Sequence, residues 1–442
     1  MKKLSLLICI VSFIFVRCSS SSDFGSLEVF TENEIIAQNI QLADQTGNKI
    51  PIIAWGGINR HSSINMYEDM ADAGFTINYG YDLGAKPTTE NIPHLFTALD
   101  RANEANMKQM VGAMWLDFLN EQDLARLKAH PALAGYFVRD EPTTYQWLDS
   151  LSRWVDRIQQ IDNNHFSYIN LAGCDCRGSN WAPEIIGCTD IEPSPCANFV
   201  RTYVDNISTP MLSVDRYTVN IDAATQQRRL MPGWYYTLEL MSREARRTNK
   251  DLWAFALSTA HSVAGITYPI PTVNDLRLQV YSNLAYGMQA LQYFTYVPST
   301  TAGYGQAPLA ADGSKTSTWY LLQEMNREFQ YLAPVFLGSK VNWVAHTGEI
   351  PDGCVELDKS KLPNVFKSLE IVEGTGALVS SIKKGEDNFL VVVNHGINEN
   401  IKVKAVGNGN LYRLNRQAVP VELGNSAQLL TPGDITVFFW KD

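Results

Sequence analysis

The sequence predicts a (β/α)8 TIM barrel with a C-terminal antiparallel β-sandwich, on three observations. From about residue 51, a short apolar run, a polar or aromatic break and an amphipathic stretch recur as parallel βα units require. Eight such units fit into roughly 280 residues, the size of a closed barrel. After about residue 340 the pattern changes to alternating strands separated by turn residues, which is the mark of a sandwich.

In order, the barrel strands are predicted at Pro51–Gly56 (PIIAWG), Phe75–Tyr79 (FTINY), Gln109–Met114 (QMVGAM) and Leu133–Val138 (LAGYFV). They continue at Phe166–Leu171 (FSYINL), Met211–Val214 (MLSV), Leu252–Leu257 (LWAFAL) and Leu291–Thr295 (LQYFT). Apolar residues at helical spacing place helices between them, among them Tyr145–Ile161, Trp234–Thr248, Asn274–Met288 and Thr318–Tyr331. The runs ALVSSI, NFLVVVN, IKVKAV, LYRLN and TPGDITVFFW supply the sandwich. A doubly wound open sheet is the alternative for the first part, but no G-x-G-x-x-G or G-x-x-x-x-G-K-[ST] follows a strand. The domain plan is therefore a signal peptide at 1–17, a tether with an N-terminal β segment at 18–50, the barrel at 51–338 and the sandwich at 339–442. The stretch from Phe24 to Lys49 has some strand character and could pack on either domain.

The signal peptide rests on Met1, Lys2 and Lys3 followed by the apolar run Leu4–Val16, too short for a permanent bilayer span. Arg17, Cys18 and four serines follow, a run that resembles a bacterial lipoprotein signal with Arg17 where a small residue is usual. The resemblance implies that Cys18 is lipidated and that the protein is exported to the outer membrane or the periplasmic face, plain secretion being the alternative.

Composition narrows the partners. The chain of 442 residues is 45% hydrophobic, enough for a full core, and its 36 Lys+Arg against 46 Asp+Glu include no basic run to track a phosphate backbone. Nucleic acid is excluded as a partner, and a monomer is expected. Removing the signal peptide takes Lys2, Lys3 and Arg17 and leaves the chain more acidic still. Cys174, Cys176, Cys188 and Cys196 crowd one segment, which in an oxidising compartment reads as two disulfides with three possible pairings, or as four zinc ligands lacking the usual C-x-x-C knuckle. Cys354 is left free or buried. The 7 histidines form no H-E-x-x-H, and no G-x-S-x-G occurs, so zinc-peptidase and serine-hydrolase signatures are missing; no metal or cofactor is expected.

Active sites of such barrels lie at the C-terminal ends of the strands. Strand 4 ends in Arg139-Asp140-Glu141-Pro142, where a carboxyl beside a stiff turn suits a general acid, although Asp-Glu-Pro is equally a plain helix start. The run HPALAGYFVRDEP resembles the strand-4 region of clan A glycoside hydrolases and their β-galactosidase-like relatives. The segment DLRLQVYSNLAYGMQALQYFTY resembles their last barrel unit, and NFLVVVN and PGDITVF their β-sandwich appendage. The resemblance covers about 51–442 and implies a glycosidase with Glu141 as acid/base, Asp140 standing where that clan more often has Asn. The clan's nucleophile follows strand 7, but LWAFALSTAH carries no acid. The candidates for the second carboxylate are Asp215, in VDRY after strand 6, and then Glu239 in the next helix; the first could instead pair with Arg216 and the second with Arg243.

Groups suited to holding a sugar sit at the other strand ends: Trp55, Asn59, Tyr79, Tyr81, Trp115, Asp140, Asn170, Tyr217, His261 and Tyr296. Rings also fill barrel cores, so the set argues more than any member does. The expected function is cleavage of a poly- or oligosaccharide; the alternative is a carbohydrate-binding surface protein that keeps the barrel without the nucleophile.

Overall fold

The computed structural model describes residues 34–174 and 194–441. The signal peptide, Cys18, Cys176 and Cys188 lie outside the described residues. Among those described, eight parallel strands close a barrel: β1 Ile52–Trp55, β2 Ile77–Tyr79, β3 Lys108–Gly112, β4 Leu133–Asp140, β5 Phe166–Ala172, β6 Met211–Asp215, β7 Asp251–Leu257 and β8 Met288–Phe294. Each leads to a helix: α1 Ile64–Asp72, α2 Ile92–Glu104, α3 Glu121–Lys128, α4 Gln146–Ile161, α5 Pro195–Asn206, α6 Trp234–Thr248, α7 Val273–Ala285 and α8 Ser317–Gln330. β8 starts three residues before its predicted start because Met288 and Ala290 already pair with Leu252 and Trp253 of β7. β3 stops at Gly112, short of the predicted Met114, because the chain then turns into the short helix Trp115–Phe118.

The strand alternation divides the side chains between two cores. Ile52 and Ala54 face the helices, while Ile53 and Trp55 point into the barrel with Tyr79, Met110, Tyr168, Met211, Trp253 and Phe255. Trp55 is central to this inner packing, its ring centroid 4.7 Å from Tyr79, 5.5 Å from Tyr168 and 5.4 Å from Phe255. The interior is thus filled with rings and is not a pore.

The sequence pattern did not reveal an extra four-stranded antiparallel sheet in the loops after β6 and β7. Its strands, in spatial order, are His261–Val263, Ile266–Tyr268, Val219–Ile221 and Arg228–Leu230. The tight turn between the first two uses Ala264 and Gly265, both at positive φ (48° and 78°), as a two-residue hairpin requires.

The C-terminal strands are β9 Lys340–Gly348, β10 Phe366–Glu373, β11 Gly376–Lys384, β12 Asp387–Val393, β13 Ile401–Gly407, β14 Tyr412–Leu414, β15 Pro420–Glu422, β16 Gln428–Leu430 and β17 Ile435–Lys441. They form a six-stranded sheet in the order β9-β11-β12-β17-β14-β15 and a three-stranded sheet β10-β13-β16. Val379, Leu390, Val392, Phe438 and Trp440 fill the space between the two sheets. Their neighbours Leu378, Phe389, Val391, Val393, Val437 and Phe439 join the core shared with the barrel. The run FLVVV is continuously apolar because β12 is covered on both faces.

The helix α7 is what lies under that second face. It is buried from Asp275 to Ala285 and carries its polar groups to fixed partners. Gln279 Oε1 accepts from the Leu257 N–H (2.8 Å), Asn283 Nδ2 donates to the Phe255 carbonyl (3.0 Å), and Arg277 forks onto Glu328 of α8 (2.9 and 2.8 Å). Arg416 of the C-terminal domain bridges the same Glu328 (3.3 Å) to Asp434 (2.7 Å). The described part of the N-terminal segment lies on the C-terminal domain: Ala37 N–H donates to the Pro420 carbonyl (3.0 Å) and Lys384 pairs with Asp44 (2.6 Å). It forms there a single bridge, Ile36 to Val421, not a strand.

The contact of the TPGD turn with α7 is the tightest of these. Gly433 has φ 73°, and a Cβ there would lie 2.3 Å from the Leu278 backbone nitrogen. Gly433→Ala is therefore expected to cost about 2–5 kcal/mol, from left-handed strain and overpacking together. Chemical denaturation checks this; a loss below about 0.5 kcal/mol would mean the turn is not seated on α7 as described.

Candidate active site

The acids at the barrel mouth owe their positions to strand register. A bulge in β4 between Phe137 and Arg139 resets the alternation, so Asp140 pairs with Asn170 of β5 and, like it, faces inward. Asn170 in turn pairs with Ser213 of β6, which puts Asp215, two residues on, on the same inner face. Glu141 continues the ladder by donating its N–H to the Asn170 carbonyl (2.9 Å) and holds φ at 42°, a strained value for a non-glycine residue. Pro142 follows and fixes the exit.

Asp140, Glu141 and Asp215 thereby converge. Asn170 Nδ2 donates to Asp140 Oδ1 and to Asp215 Oδ1, 3.1 Å each. Glu141 is near enough for its charge to act on the Asp215 carboxyl. A like charge so near disfavours a second ionisation, so Asp215 gives up its proton less readily than an isolated acid does. Burial, and then the charges of Glu141 and Asp140, push Asp215 well above the usual carboxylate range, against the pull of the Asn170 bond. Asp140 opens onto solvent in the cleft, yet protein around its carboxyl displaces enough water to raise it. That desolvation and the charge of Glu141 bring it up to about 6, offset in part by Asn170 and Arg139.

Aromatic groups line the cluster. Tyr217, just past β6, stacks on Phe294 at 5.4 Å and meets the edges of Tyr268 (5.6 Å) and His261 (6.0 Å). His261 stacks flat on Tyr304, with 5.0 Å between centroids and 9° between planes, and its burial lowers its basicity and keeps it neutral. Tyr81 is 50% exposed and offers an open ring face, while its hydroxyl turns toward Asp140 and the Trp55 side chain. The Tyr217 hydroxyl is buried beside Asp215 and Glu141.

Of the groups expected from the sequence, Glu141, Asp215, Asp140, Asn170, Tyr81, Tyr217 and His261 meet at the mouth. Trp55 and Tyr79 are each 2% exposed and form the floor below the acids, not open stacking faces. Four others lie elsewhere. Trp115 is fully buried outside the barrel and donates from Nε1 to the Leu83 carbonyl (3.1 Å). Tyr296 packs on Phe75 and accepts from Trp319 Nε1 of α8 (3.0 Å). Asn59 closes its own loop by accepting from the His61 N–H (2.9 Å). Glu239, more than a turn into α6, is buried against Tyr286, Arg246 and Arg243 near the C-terminal domain, with Oε2 unpartnered. Position after a strand does not fix which side a residue takes, and helix rotation carries Glu239 away from the mouth. Of the cysteines, Cys174 and Cys196 form a disulfide at the loop between β5 and α5, and Cys354 is unpaired among the described residues.

Tyr168, Ser213, Gln292, Phe294 and Tyr304 went unrecognised in the sequence. The period-2 spacing that places Ser213 with Asp215, and Tyr168 with Asn170, was the available signal; nothing comparable marks Tyr304 in its loop.

No family profile and no curated protein matches the chain. Among solved structures, it is similar to the β-galactosidase of psychrophilic Marinomonas ef1 (TM-score 0.47, 11% identity, covering 64% of this chain and 60% of that one). It is similar also to a β-galactosidase of the haloarchaeon Halorubrum lacusprofundi (TM-score 0.44, 12% identity, 63% and 58%). A third similar structure is the α-amylase of Geobacillus thermoleovorans (TM-score 0.48, 9% identity, 90% and 99%). The chain spans under two thirds of either β-galactosidase's own length.

The raised Asp140 makes a stability prediction. Its carboxyl rises from 3.8 to about 6 on folding, so the folded state binds the proton more readily. The associated stability is fully present below the ordinary value and is lost as pH climbs through about 6. Asp140→Asn escapes that loss. Its Tm is expected to exceed wild type by about 1–3 °C at pH 8, with the advantage fading by pH 4. Thermal unfolding across pH checks this, and an Asp140→Asn advantage independent of pH would remove the electrostatic explanation.

Proposed function

We propose that the chain is a glycoside hydrolase in which Glu141 and Asp215 are the reacting pair. The observation that carries this reading is the convergence of the acids at the barrel mouth, where Asn170 bonds Asp140 and Asp215 and burial with the Glu141 charge raises Asp215: neighbouring carboxyls of unequal acidity can supply both the acid and the anion that glycosidic cleavage needs. The clan-level resemblance of HPALAGYFVRDEP supports assigning the acid to Glu141.

In this reading the proton of the pair passes through Glu141 to the glycosidic oxygen as its bond to the anomeric carbon breaks. Asp215, left ionised, bonds to that carbon. Water then displaces Asp215, and Glu141 takes the water's proton, restoring one proton to the pair. The acid at the end of β6 thus takes the part that the end of β7 lacks, where Ser258 and Thr259 bond to the Thr295 carbonyl instead. The Tyr217 hydroxyl lies beside the pair, and the half-exposed ring of Tyr81 is a surface for the apolar side of a sugar ring. The acid-free end of β7 is also the observation favouring the second reading, a carbohydrate-binding protein without turnover.

A hydrolysis screen on plant and host glycans and aryl glycosides, with Glu141→Gln as the control, separates the two. The enzyme reading expects turnover that Glu141→Gln lowers by about 10²-fold or more, with glycan affinity kept within a few-fold. Equal glycan retention by both proteins with no turnover by either would establish the binding reading instead.

A further inference from the structure

Below the acids, a line of buried polar groups crosses the barrel interior. Gln292 of β8 donates from Nε2 to Ser213 Oγ (2.9 Å) and accepts at Oε1 from the Tyr168 hydroxyl. Ser213, 2.8 Å from the same tyrosine oxygen, donates to Asn170 Oδ1 (2.9 Å). Asn170 Nδ2 then donates to both Asp140 and Asp215. Tyr168, Ser213 and Gln292 are wholly buried and Asn170 is 2% exposed, so water does not substitute for these bonds.

An amide can present either its N–H2 or its carbonyl to a neighbour. Turned with N–H2 toward Asp140 and Asp215, it favours their ionised forms. Turned the other way, it would require each acid to bring a proton. Ser213 has one proton and two acceptors in reach; the Tyr168 oxygen already donates its own proton to Gln292 and needs no second bond, whereas the buried Asn170 Oδ1 takes its bond from Ser213, so the serine proton goes to Asn170. We propose that Ser213, held by Gln292, is a positioning residue that fixes the Asn170 amide toward the acids and so keeps the carboxyl cluster from taking up a second proton. The inference rests on the reading of Glu141 and Asp215 as the reacting pair, since a doubly protonated pair has no anion to attack with.

Among the described residues, charged or titratable groups that act on the cluster include Arg139 on β4, Tyr79 and Tyr81 at the end of β2, Tyr168 on β5 and Tyr217 past β6. Burial raises these phenols, which therefore stay protonated and leave the carboxyls as the groups that exchange protons.

The test is a carboxyl-¹³C NMR titration of the full protein, run beside the pH profile of kcat, for wild type, Ser213→Ala and Ser213→Thr. In Ser213→Ala the amide is free to turn. The acid-side midpoint of the cluster and the acidic limb of kcat are expected to move up by about one pH unit, the scale of a lost hydrogen bond to a charged group. Ser213→Thr keeps the hydroxyl and is expected to stay at wild type. If Ser213→Ala does not fold, Gln292→Leu releases the serine proton and should shift the midpoint the same way by a smaller step. An unmoved midpoint in the folded variant, or Ser213→Thr moving as far as Ser213→Ala, overturns the proposal. A shifted titration in a protein that turns over no glycan keeps the relay and removes the glycosidase reading. Turnover with unshifted titrations does the reverse.

Discussion

The crowding of Glu141 and Asp215 is the constraint on which the site depends. The charge of Glu141 beside the buried Asp215, above a ring-filled interior, makes a second ionisation there costly. Asp140 adds a third acid to the same space, and the Asn170 amide is the donor that Asp140 and Asp215 share. The bulge in β4 and the positive φ of Glu141 are what bring the acids so close, and such local strain persists where the surrounding structure over-determines it. A proton held in this way costs folding stability, which is the usual trade at sites built to react.

The rest of the fold keeps that crowding in register. The acids and their shared amide come from three adjacent strands, β4, β5 and β6, so their spacing follows from the ladder and not from flexible loops. The opposite side of the barrel is held from outside. α7 bonds through Gln279 and Asn283 to the end of β7, and the C-terminal sheet and the Arg416 bridge clamp α7 in turn. Gln292, which reaches across the interior to Ser213, stands on β8, beside β7 in the barrel. The sandwich therefore bears on the acid cluster at a distance, by fixing the strands that back it.

The barrel was legible because parallel βα units impose a strong period, and β6 and β7 fall within a residue of the runs MLSV and LWAFAL. The place of Glu141 and Asp215 at the barrel mouth was legible because acids directly after apolar strands stand out. Asn59, Trp115, Glu239 and Tyr296 misled because position along the chain does not say which way a side chain turns once a loop or helix has begun. The four-stranded sheet beside the mouth was hidden in strands of three residues, shorter than the period needed to show alternation. Gln292 and Ser213 were hidden because a polar residue inside an apolar strand gives no sign of its partner, which here lies 79 positions away.

The central claim is that Asp215, buried beside Glu141, keeps its proton at neutral pH. The infrared spectrum of the protein at pH 7, compared with that of Asp215→Asn, measures this directly. The account predicts the carbonyl stretch of a protonated, hydrogen-bonded carboxylic acid in wild type and its loss in Asp215→Asn. A wild-type spectrum at pH 7 with only ionised carboxylates, identical in that region to the variant, would contradict it.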